Sequence, residues 1–305
     1  MKELWVEKYR PCTVEEYVFI DNNQREQVVQ WIKEQHIPHL LLSGGPGTGK
    51  TTLARMLIHE LKVDEYDVLQ VNASNETKVE TMRDKVLGFA STMPFGEFKI
   101  ILLDEADYLS QNSQALLRNA METYHASVRF IFTCNAPHKI IPALHSRCQG
   151  FHIAKQDHTE FTARVATVLV SEGIEFELDT LDSYVKATYP DLRKCLNLVQ
   201  LNSNDGHLNK PREGDKAVGD WKLDAVELFK AGKIREARVL LCSQAAPEEM
   251  EDIFRWMYDN ITLWGTTHEK QDEAIKIIRT GLVNHVSCAD PEINLSATII
   301  ELSQI

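Results

Sequence analysis

The chain has 305 residues, of which 43% are hydrophobic and 26% charged. This length predicts two or three domains, and no apolar run approaches the roughly 18 residues that a membrane-spanning helix needs. The net charge of −12 is concentrated in the second half and excludes a globally basic nucleic-acid-binding surface, so any DNA contact must come from a local cluster of cations.

The first half alternates short apolar segments with segments of helical spacing. Strands are predicted at residues 39–43, 67–71, 99–103, 128–133 and 151–153, and helices at 51–61, 79–90 and 113–122. Because these strands are apolar on both faces, they indicate a parallel sheet that helices cover on both sides.

After residue 153 the strand signals stop. Segments 159–171, 181–188 and 191–201 predict a small helical unit. The polar, turn-rich stretch 202–215 predicts a linker.

The last part of the chain is predicted to be all helical. Residues 247–264 have the clearest helical pattern, and helices are also expected at 270–282 and 293–302. One face of the first segment carries Met250, Ile253, Phe254, Met257, Tyr258, Ile261 and Trp264. Such a stripe is more typical of a core or a subunit interface than of a ligand pocket.

Residues 44–51 read GGPGTGKT and fit a phosphate-binding loop, because they follow a predicted strand and open a predicted helix. Glycines let backbone N–H groups surround phosphates at the helix N-terminus. Lys50 would reach the β- and γ-phosphates, and the Thr51 hydroxyl would bind Mg²⁺. A glycine-rich turn without a ligand is the alternative. The expected nucleotide-binding residues here are Gly44, Gly45, Pro46, Gly47, Thr48, Gly49, Lys50, Thr51 and Thr52.

Two further strand ends supply polar groups to the same edge of the sheet. The sequence IILLDEAD at 100–107 places Asp104 to hold Mg²⁺ and Glu105 to polarise the attacking water. Asn135 follows the strand 128–133 and could bond the γ-phosphate or that water, although an Asn often simply ends a strand.

These motifs together resemble the AAA+ ATPases, and within them the sliding-clamp loader subunits of the replication factor C small-subunit group. Four further stretches carry the resemblance: residues 5–11 (WVEKYRP), 72–74 (NAS), 146–148 (SRC) and 190–200 (PDLRKCLNLVQ). It covers residues 5–200 firmly, and the rest mainly by helical character and length.

The resemblance implies an architecture of three parts. An α/β AAA+ domain with a parallel five-stranded sheet between helices would span residues 1–153. A helical lid would follow at 154–206, and an all-helical collar that holds the subunits together would span 207–305.

The resemblance also implies roles for single residues. Lys50, Thr51, Asp104 and Glu105 would act within the subunit, with Asn135 and Arg193 contacting the γ-phosphate and Arg10 the nucleotide. Arg147, from the SRC trio, would enter the neighbouring subunit's site as an arginine finger, which implies an oligomer. A plain surface arginine is the alternative for Arg147.

Four cations are implied to contact DNA phosphates rather than bases, so binding would be salt-sensitive and independent of sequence. Arg83, Arg118 and Lys139 match positions near the central chamber of the family. Lys78 lies five positions before Arg83, as in phage loaders, where this lysine pairs with the catalytic glutamate until DNA draws it away. A solvated lysine at a helix start is the alternative.

Some positions depart from the pattern of the cellular subunits. The helix at 190–200 opens with PDLRK instead of Gly-Asp-x-Arg-Arg, and Phe19 and Ile20 stand where the family has Gly-Gln. With the short length, these features look more like the ATPase subunit of T4-type bacteriophage loaders, in which four such subunits join one of a different kind. The adenine pocket is left open by the change at 19–20.

The implied function is ATP-dependent loading of a sliding clamp onto primer–template DNA, together with a second, different subunit. Clamp contacts in the family come from the helix after the strand at 67–71 and neighbouring loops. Another AAA+ machine, such as a branch-migration motor or helicase loader, should lack the motifs at 5–11 and 146–148. A nucleotide-gated scaffold should lack Glu105 or Arg147.

The cysteines and histidines indicate neither a metal site nor a nucleophile. The six cysteines form no Cys-x-x-Cys pair, which predicts a reducing compartment, and the 11 histidines show no metal-ligand spacing. Cys148 is better interpreted as part of the SRC turn. Since the N-terminus has no signal-peptide pattern, we expect a cytoplasmic protein, in the host cytoplasm if it is of phage origin.

Overall fold

The computed structural model describes residues 3–75, 79–153, 156–204, 206–209, 220–244, 250–265, 267–285 and 287–304. The chain divides into two compact units, residues 1–210 and residues 211–305. The predicted boundaries at 153 and 206 stay a prediction.

A five-stranded parallel sheet forms the centre of the first unit, as predicted. Its strands are β1 (Leu40–Gly44), β2 (Val68–Asn72), β3 (Lys99–Asp104), β4 (Val128–Cys134) and β5 (Gln149–Ile153). They lie in the order β2-β3-β4-β1-β5, with every neighbouring pair parallel. All carboxyl ends therefore meet at one edge.

Helices cover both faces of this sheet because successive strand residues point to opposite sides. In β3, Ile100 and Leu102 join one buried cluster, whereas Ile101 and Leu103 join the other. The helices of this part are α1 (Trp5–Lys8), α2 (Asn22–Lys33), α3 (Lys50–Glu60), α4 (Val79–Ala90), α5 (Gln111–Thr123) and α6 (Pro142–His145).

Three helices complete the first unit: α7 (His158–Ser171), α8 (Leu178–Thr188) and α9 (Leu192–Asn202). Trp5 of α1 is buried in their core beside Phe161 and Tyr184. Its backbone N–H donates to Gln200 Oε1 at 3.0 Å. The N-terminal segment thus packs on these helices.

The expectation that strands stop after residue 153 is wrong. A short antiparallel hairpin, β6 (Ser203–Asn204) with β7 (His207–Leu208), occupies the start of the predicted linker. Leu208 is buried among the helices of the first unit, which stabilises two strands too short to show a pattern.

The second unit is helical in its described residues: α10 (Asp220–Lys230), α11 (Ile234–Gln244), α12 (Met250–Asp259), α13 (His268–His285) and α14 (Pro291–Leu302). The helix predicted at 247–264 ends earlier, at Asp259, and a 3-10 turn (Ile261–Leu263) follows it. Residues 247–249 lie outside the described residues. Tyr258, predicted on the apolar face, is 47% exposed.

Within the described part of the chain, no helix combines the length and the apolar character needed to cross a membrane.

Candidate active site

The phosphate-binding loop joins β1, which ends at Gly44, to α3, which begins at Lys50. Gly47 and Gly49 have φ angles of +70° and +92°, which residues with a side chain rarely adopt. A Cβ atom on Gly47 would lie only 1.9 Å from Asp191 Oδ1, at the start of α9. This loop position requires glycine for its conformation and for the close approach of α9.

Lys50 is buried at the floor of this loop. Its ammonium group donates to the carbonyl oxygens of Gly44 at 3.0 Å and Gly45 at 2.6 Å. Burial lowers the pKa of Lys50 from its ordinary value. The cation is thus held by weak acceptors that a phosphate oxygen could replace.

A hydrogen-bonded group connects the ends of β3 and β4 to α3. The hydroxyls of Thr51 and Thr133 both donate to Asp104 Oδ1, at 2.7 and 2.5 Å. Thr133 Oγ1 also accepts the backbone N–H of Glu105 at 3.0 Å. Thr133 therefore fixes both acidic residues, a role that the sequence analysis missed.

Glu105 has a left-handed backbone conformation, with φ 56° and ψ 43°. This conformation is uncommon for a residue with a side chain and persists only where neighbouring groups hold it. It turns the chain sharply between Asp104 and Glu105. The turn thus lies directly between two acidic residues that both line the cleft.

Asp107 supports the loop that follows β4. Its carboxylate accepts the backbone N–H groups of Asn135 at 3.4 Å and Ala136 at 3.2 Å. Asn135 itself is exposed at the end of the strand. Asp107 therefore holds the backbone at Asn135, the residue predicted to contact the γ-phosphate or the attacking water.

One cleft collects the residues predicted to act within the subunit. Its lining includes Arg10, Pro46, Gly47, Lys50, Thr51, Asp104, Glu105, Asn135 and Arg193. Arg193 is the second residue of α9 and is close enough to lower the pKa of Lys50 further. The Arg10 guanidinium donates to both carboxylate oxygens of Glu7, at 2.6 and 2.7 Å.

A second, less polar pocket adjoins the loop. Its walls include Tyr9, Pro11, Tyr17, Val18, Gly49, Thr52, Gln156, Leu192 and Leu196. Phe19 and Ile20 do not line it, because Phe19 is buried in the core beneath the sheet and Ile20 packs against the same core. Phe19 and Ile20, which stand where the family has Gly-Gln, therefore pack in the core instead of lining the pocket.

Arg147 lies outside the cleft. It is exposed just after α6, forms an ion pair with Glu122 of α5, and donates to the carbonyl of Ala143 at 2.7 Å. The structure thus gives it no contact with the subunit's own loop among the described residues. Burial raises the pKa of the neighbouring Cys148 thiol to about 12, so this thiol stays protonated and is no nucleophile.

The predicted DNA contacts occupy α4, α5 and an adjoining turn. Arg83 is exposed on α4, and Arg118 on α5 donates to the Asn119 side chain at 3.0 and 3.3 Å. Lys139 is exposed in the turn Pro137–Lys139. Its backbone carbonyl accepts a hydrogen bond from Gln114 Nε2 of α5 at 3.0 Å. Lys78 lies outside the described residues.

The described residues contain no cluster of three or more His, Cys, Asp or Glu side chains that could enclose a metal. One carboxylate and one hydroxyl, on Asp104 and Thr51, do share the cleft. Such a sparse set of oxygen donors suits Mg²⁺, which keeps waters and binds through substrate phosphates.

The fold and this cleft define an ATPase of the AAA class, and residues 40–155 match the family described as "ATPase family associated with various cellular activities (AAA)". A replication factor C small subunit from Aeropyrum pernix is 32% identical over 327 residues, covering 100% of this chain and 97% of the relative. A second, from Sulfurisphaera tokodaii, is 39% identical over 207 residues, covering 66% and 62%. The chain belongs to the replication factor C small-subunit family.

The solved structures agree with the fold. The branch-migration motor RuvB of Thermotoga maritima superposes with a TM-score of 0.58 at 15% identity, covering 72% of this chain and 79% of that one. At that identity the likeness extends to the fold alone. The branch-migration alternative is not favoured, because the replication factor C relatives match along the whole chain.

Proposed function

We propose that this chain is an ATP-hydrolysing subunit of a sliding-clamp loader that places the clamp on primer–template DNA. The observation that carries the proposal is one cleft in which a phosphate-binding loop meets Asp104, Glu105, Asn135 and Arg193, in a chain related to replication factor C small subunits over its full length.

ATP would bind with its phosphates in the loop. Lys50 would exchange its two backbone carbonyl partners for β- and γ-phosphate oxygens, a charge-assisted and therefore stronger interaction. Thr51 and Asp104 would hold Mg²⁺, which supplies neutralisation of phosphate charge when bound. Thr51 would then release its hydrogen bond to Asp104.

Glu105 would orient the water that attacks the γ-phosphate. The bond from its N–H to Thr133 holds the residue in the conformation that separates it from Asp104. Asn135, whose backbone is held by Asp107, and Arg193, at the start of α9, would both contact the γ-phosphate.

Arg147 would complete a neighbouring subunit's site. Its exposed position outside its own cleft supports this assignment, since an arginine supplied in trans stabilises transition-state charge and can accelerate hydrolysis by about 10³-fold or more. The proposal therefore includes a hetero-oligomer, with four copies of this chain and one different subunit.

The protein would contact DNA in the central chamber of the loader through the phosphate backbone of the DNA. Exposed Arg83 and Lys139, together with Arg118, would bind phosphates without reading sequence. Lys78 would pair with Glu105 before DNA arrives and release it afterwards. The proposal also includes a T4-type phage origin, which residues 190–200, Phe19 and Ile20 and the short length of the chain suggest.

An exposed apolar surface on the first unit is our candidate for clamp docking. Met93 and Phe95, in the loop after α4, are 87% and 79% exposed, and Tyr66 is 68% exposed. The rings of Tyr66 and Phe95 lie 5.8 Å apart. The loader family makes its clamp contacts from this helix and its neighbouring loops, and such exposed apolar groups commonly mark protein interfaces.

The test is steady-state ATP hydrolysis by the assembled loader, with and without clamp and primed DNA. Hydrolysis should rise with both, and Arg147→Ala should abolish most of that rise. A mixture of Arg147→Ala and Glu105→Gln subunits should regain part of the activity, because some interfaces then combine an intact finger with an intact site. Phe95→Ala should weaken the response to clamp, while the matched control Leu178→Ala, at another exposed apolar residue, should not.

A hydrolysis rate indifferent to clamp and primed DNA would contradict the loader assignment. If Arg147→Ala keeps the full rate, the trans role is wrong. Lys78→Ala should raise hydrolysis without DNA, and an unchanged basal rate would refute the gate.

A further inference from the structure

Gln156 is a buried polar residue in the wall of the less polar pocket beside the phosphate-binding loop. Only 4% of it is exposed. Its side-chain amide donates from Nε2 to the backbone carbonyl of Thr48 at 3.2 Å. Because a carbonyl oxygen can only accept, this bond fixes which end of the amide faces the loop.

The other end of the amide, Oε1, has no hydrogen-bond donor within the described part of the chain, although it is fully buried. A buried acceptor without a partner is unfavourable, and in native structures such a group usually bonds to a protein donor, an ordered water or a bound ion. The backbone carbonyl of the residue does have a partner, since it accepts from Tyr189 Oη at 2.5 Å.

The pocket that Gln156 lines has mixed walls, which include the side chains of Arg10, Arg164 and Arg193. Aromatic and aliphatic groups of Tyr17, Val18 and Leu196 line it, and Gly49 and Thr52 connect it directly to the phosphate site. A nucleotide whose phosphates occupy the loop would thus extend its base towards Gln156.

We propose that Gln156 selects the base, with its Oε1 accepting a hydrogen bond from the 6-amino group of adenine. This inference rests on the proposed ATP binding and adds its specificity. A base with a carbonyl at position 6, such as guanine, would set two acceptors against each other in a buried site, and a site built for a donor rejects a ligand that lacks it.

The experiment measures nucleotide affinity of the full chain by displacement of a fluorescent ATP analogue. The competitors are ATP, purine riboside triphosphate, which carries hydrogen at position 6, and inosine triphosphate, which carries a carbonyl there. The wild-type chain should prefer ATP over the 6-hydrogen analogue by about tenfold, the usual effect of one buried hydrogen bond, and should discriminate more strongly against inosine triphosphate.

Gln156→Met keeps the length of the side chain and removes the acceptor. It should reduce the preference for ATP over the 6-hydrogen analogue to within about twofold. Tyr189→Phe is the matched control, because it removes a hydrogen bond to the same residue without changing Oε1. It should keep the wild-type preference even if overall affinity falls.

The outcomes separate the inference from the function it rests on. Wild-type chain that binds ATP and the 6-hydrogen analogue equally overturns the base contact and leaves ATP binding intact. So does a Gln156→Met variant that keeps the preference. Wild-type chain that binds no nucleotide overturns both, and the wild-type series alone decides if the variant fails to fold.

Discussion

Replacing Thr133 by valine tests the hydrogen-bonded group at the end of β4. Valine has nearly the same shape as threonine but lacks the hydroxyl, and Thr133 is only 1% exposed. The change removes the donor to Asp104 and the acceptor for the Glu105 N–H. It leaves the hydrogen bond between Thr51 and Asp104 in place.

The magnitude follows from these two bonds. A hydrogen bond to a charged group contributes about 1.5–3 kcal/mol, and an unsatisfied buried donor costs about 1–3 kcal/mol. Water in the half-buried cleft offsets part of both, so we expect a loss of about 2–3 kcal/mol in the free energy of unfolding. For a unit of this size the melting temperature should fall by about 5–10 °C.

Catalysis should suffer more than nucleotide binding. Thr133 holds Glu105 in its left-handed conformation, and misplacement of a catalytic group by about 1 Å can cost 10²-fold in rate. We expect kcat of the assembled loader to fall about 10- to 100-fold. The Kd for ATP should change by less than about threefold, because Lys50 and its loop are untouched.

The assay combines thermal denaturation, ATP binding and DNA-stimulated hydrolysis for the wild type, Thr133→Val and Thr133→Ser. Serine keeps the hydroxyl and should retain most of the rate. If valine and serine variants hydrolyse ATP equally well, Thr133 does not position Glu105, and the reasoning from these two bonds fails.

Three further predictions follow from other contacts. Gly47→Ala should weaken ATP binding at least tenfold, because residue 47 has a φ of +70° and the new methyl group would clash with Asp191. The second substitution Asp191→Ser should restore part of the affinity. If it restores none, the clash is not the cause. Glu122→Gln removes the ion pair that holds Arg147. The ATP hydrolysis rate of the assembled loader should rise up to about fivefold, since an exposed ion pair contributes under about 1 kcal/mol. A lower hydrolysis rate would contradict this prediction. Burial lowers the pKa of His39 to about 4, so below about pH 6.5 the unfolded chain binds a proton that the folded chain does not. The free energy of unfolding should therefore decrease as the pH falls from 6.5 to 4. Chemical denaturation at each pH should show a smaller decrease for His39→Gln than for the wild type.

The central strands β1, β3 and β4 were predictable because they are buried on both faces. Ile100–Ile101–Leu102–Leu103 supplies both cores, so an unbroken apolar run was the expected signal, and β3 begins at the predicted residue. The phosphate-binding loop was equally predictable, because its glycines and lysine are adjacent in sequence and must be so for the backbone to surround phosphates.

Contacts between distant segments left no such signal. Thr133 acts through residues 28 and 29 positions earlier, and only the rule that strand ends share an edge pointed near it. Gln156 follows β5 in a polar stretch, and nothing in that stretch indicates that it is buried against Thr48. The hairpin at 203–208 has two residues in each strand, fewer than any periodicity needs.

The N-terminal segment has a kinetic consequence. Trp5 is anchored among α7, α8 and α9, while Tyr17 is buried in the core under the sheet. Tyr9 and Pro11, between these two anchors, form a wall of the less polar pocket. If a nucleoside occupies this pocket as proposed, the segment would form one wall of its site with both ends anchored, and release of ADP would require one of these anchors to detach. Exchange of ADP for ATP should then proceed at the speed with which Trp5 or its helices detach, whatever the rate of the chemical step.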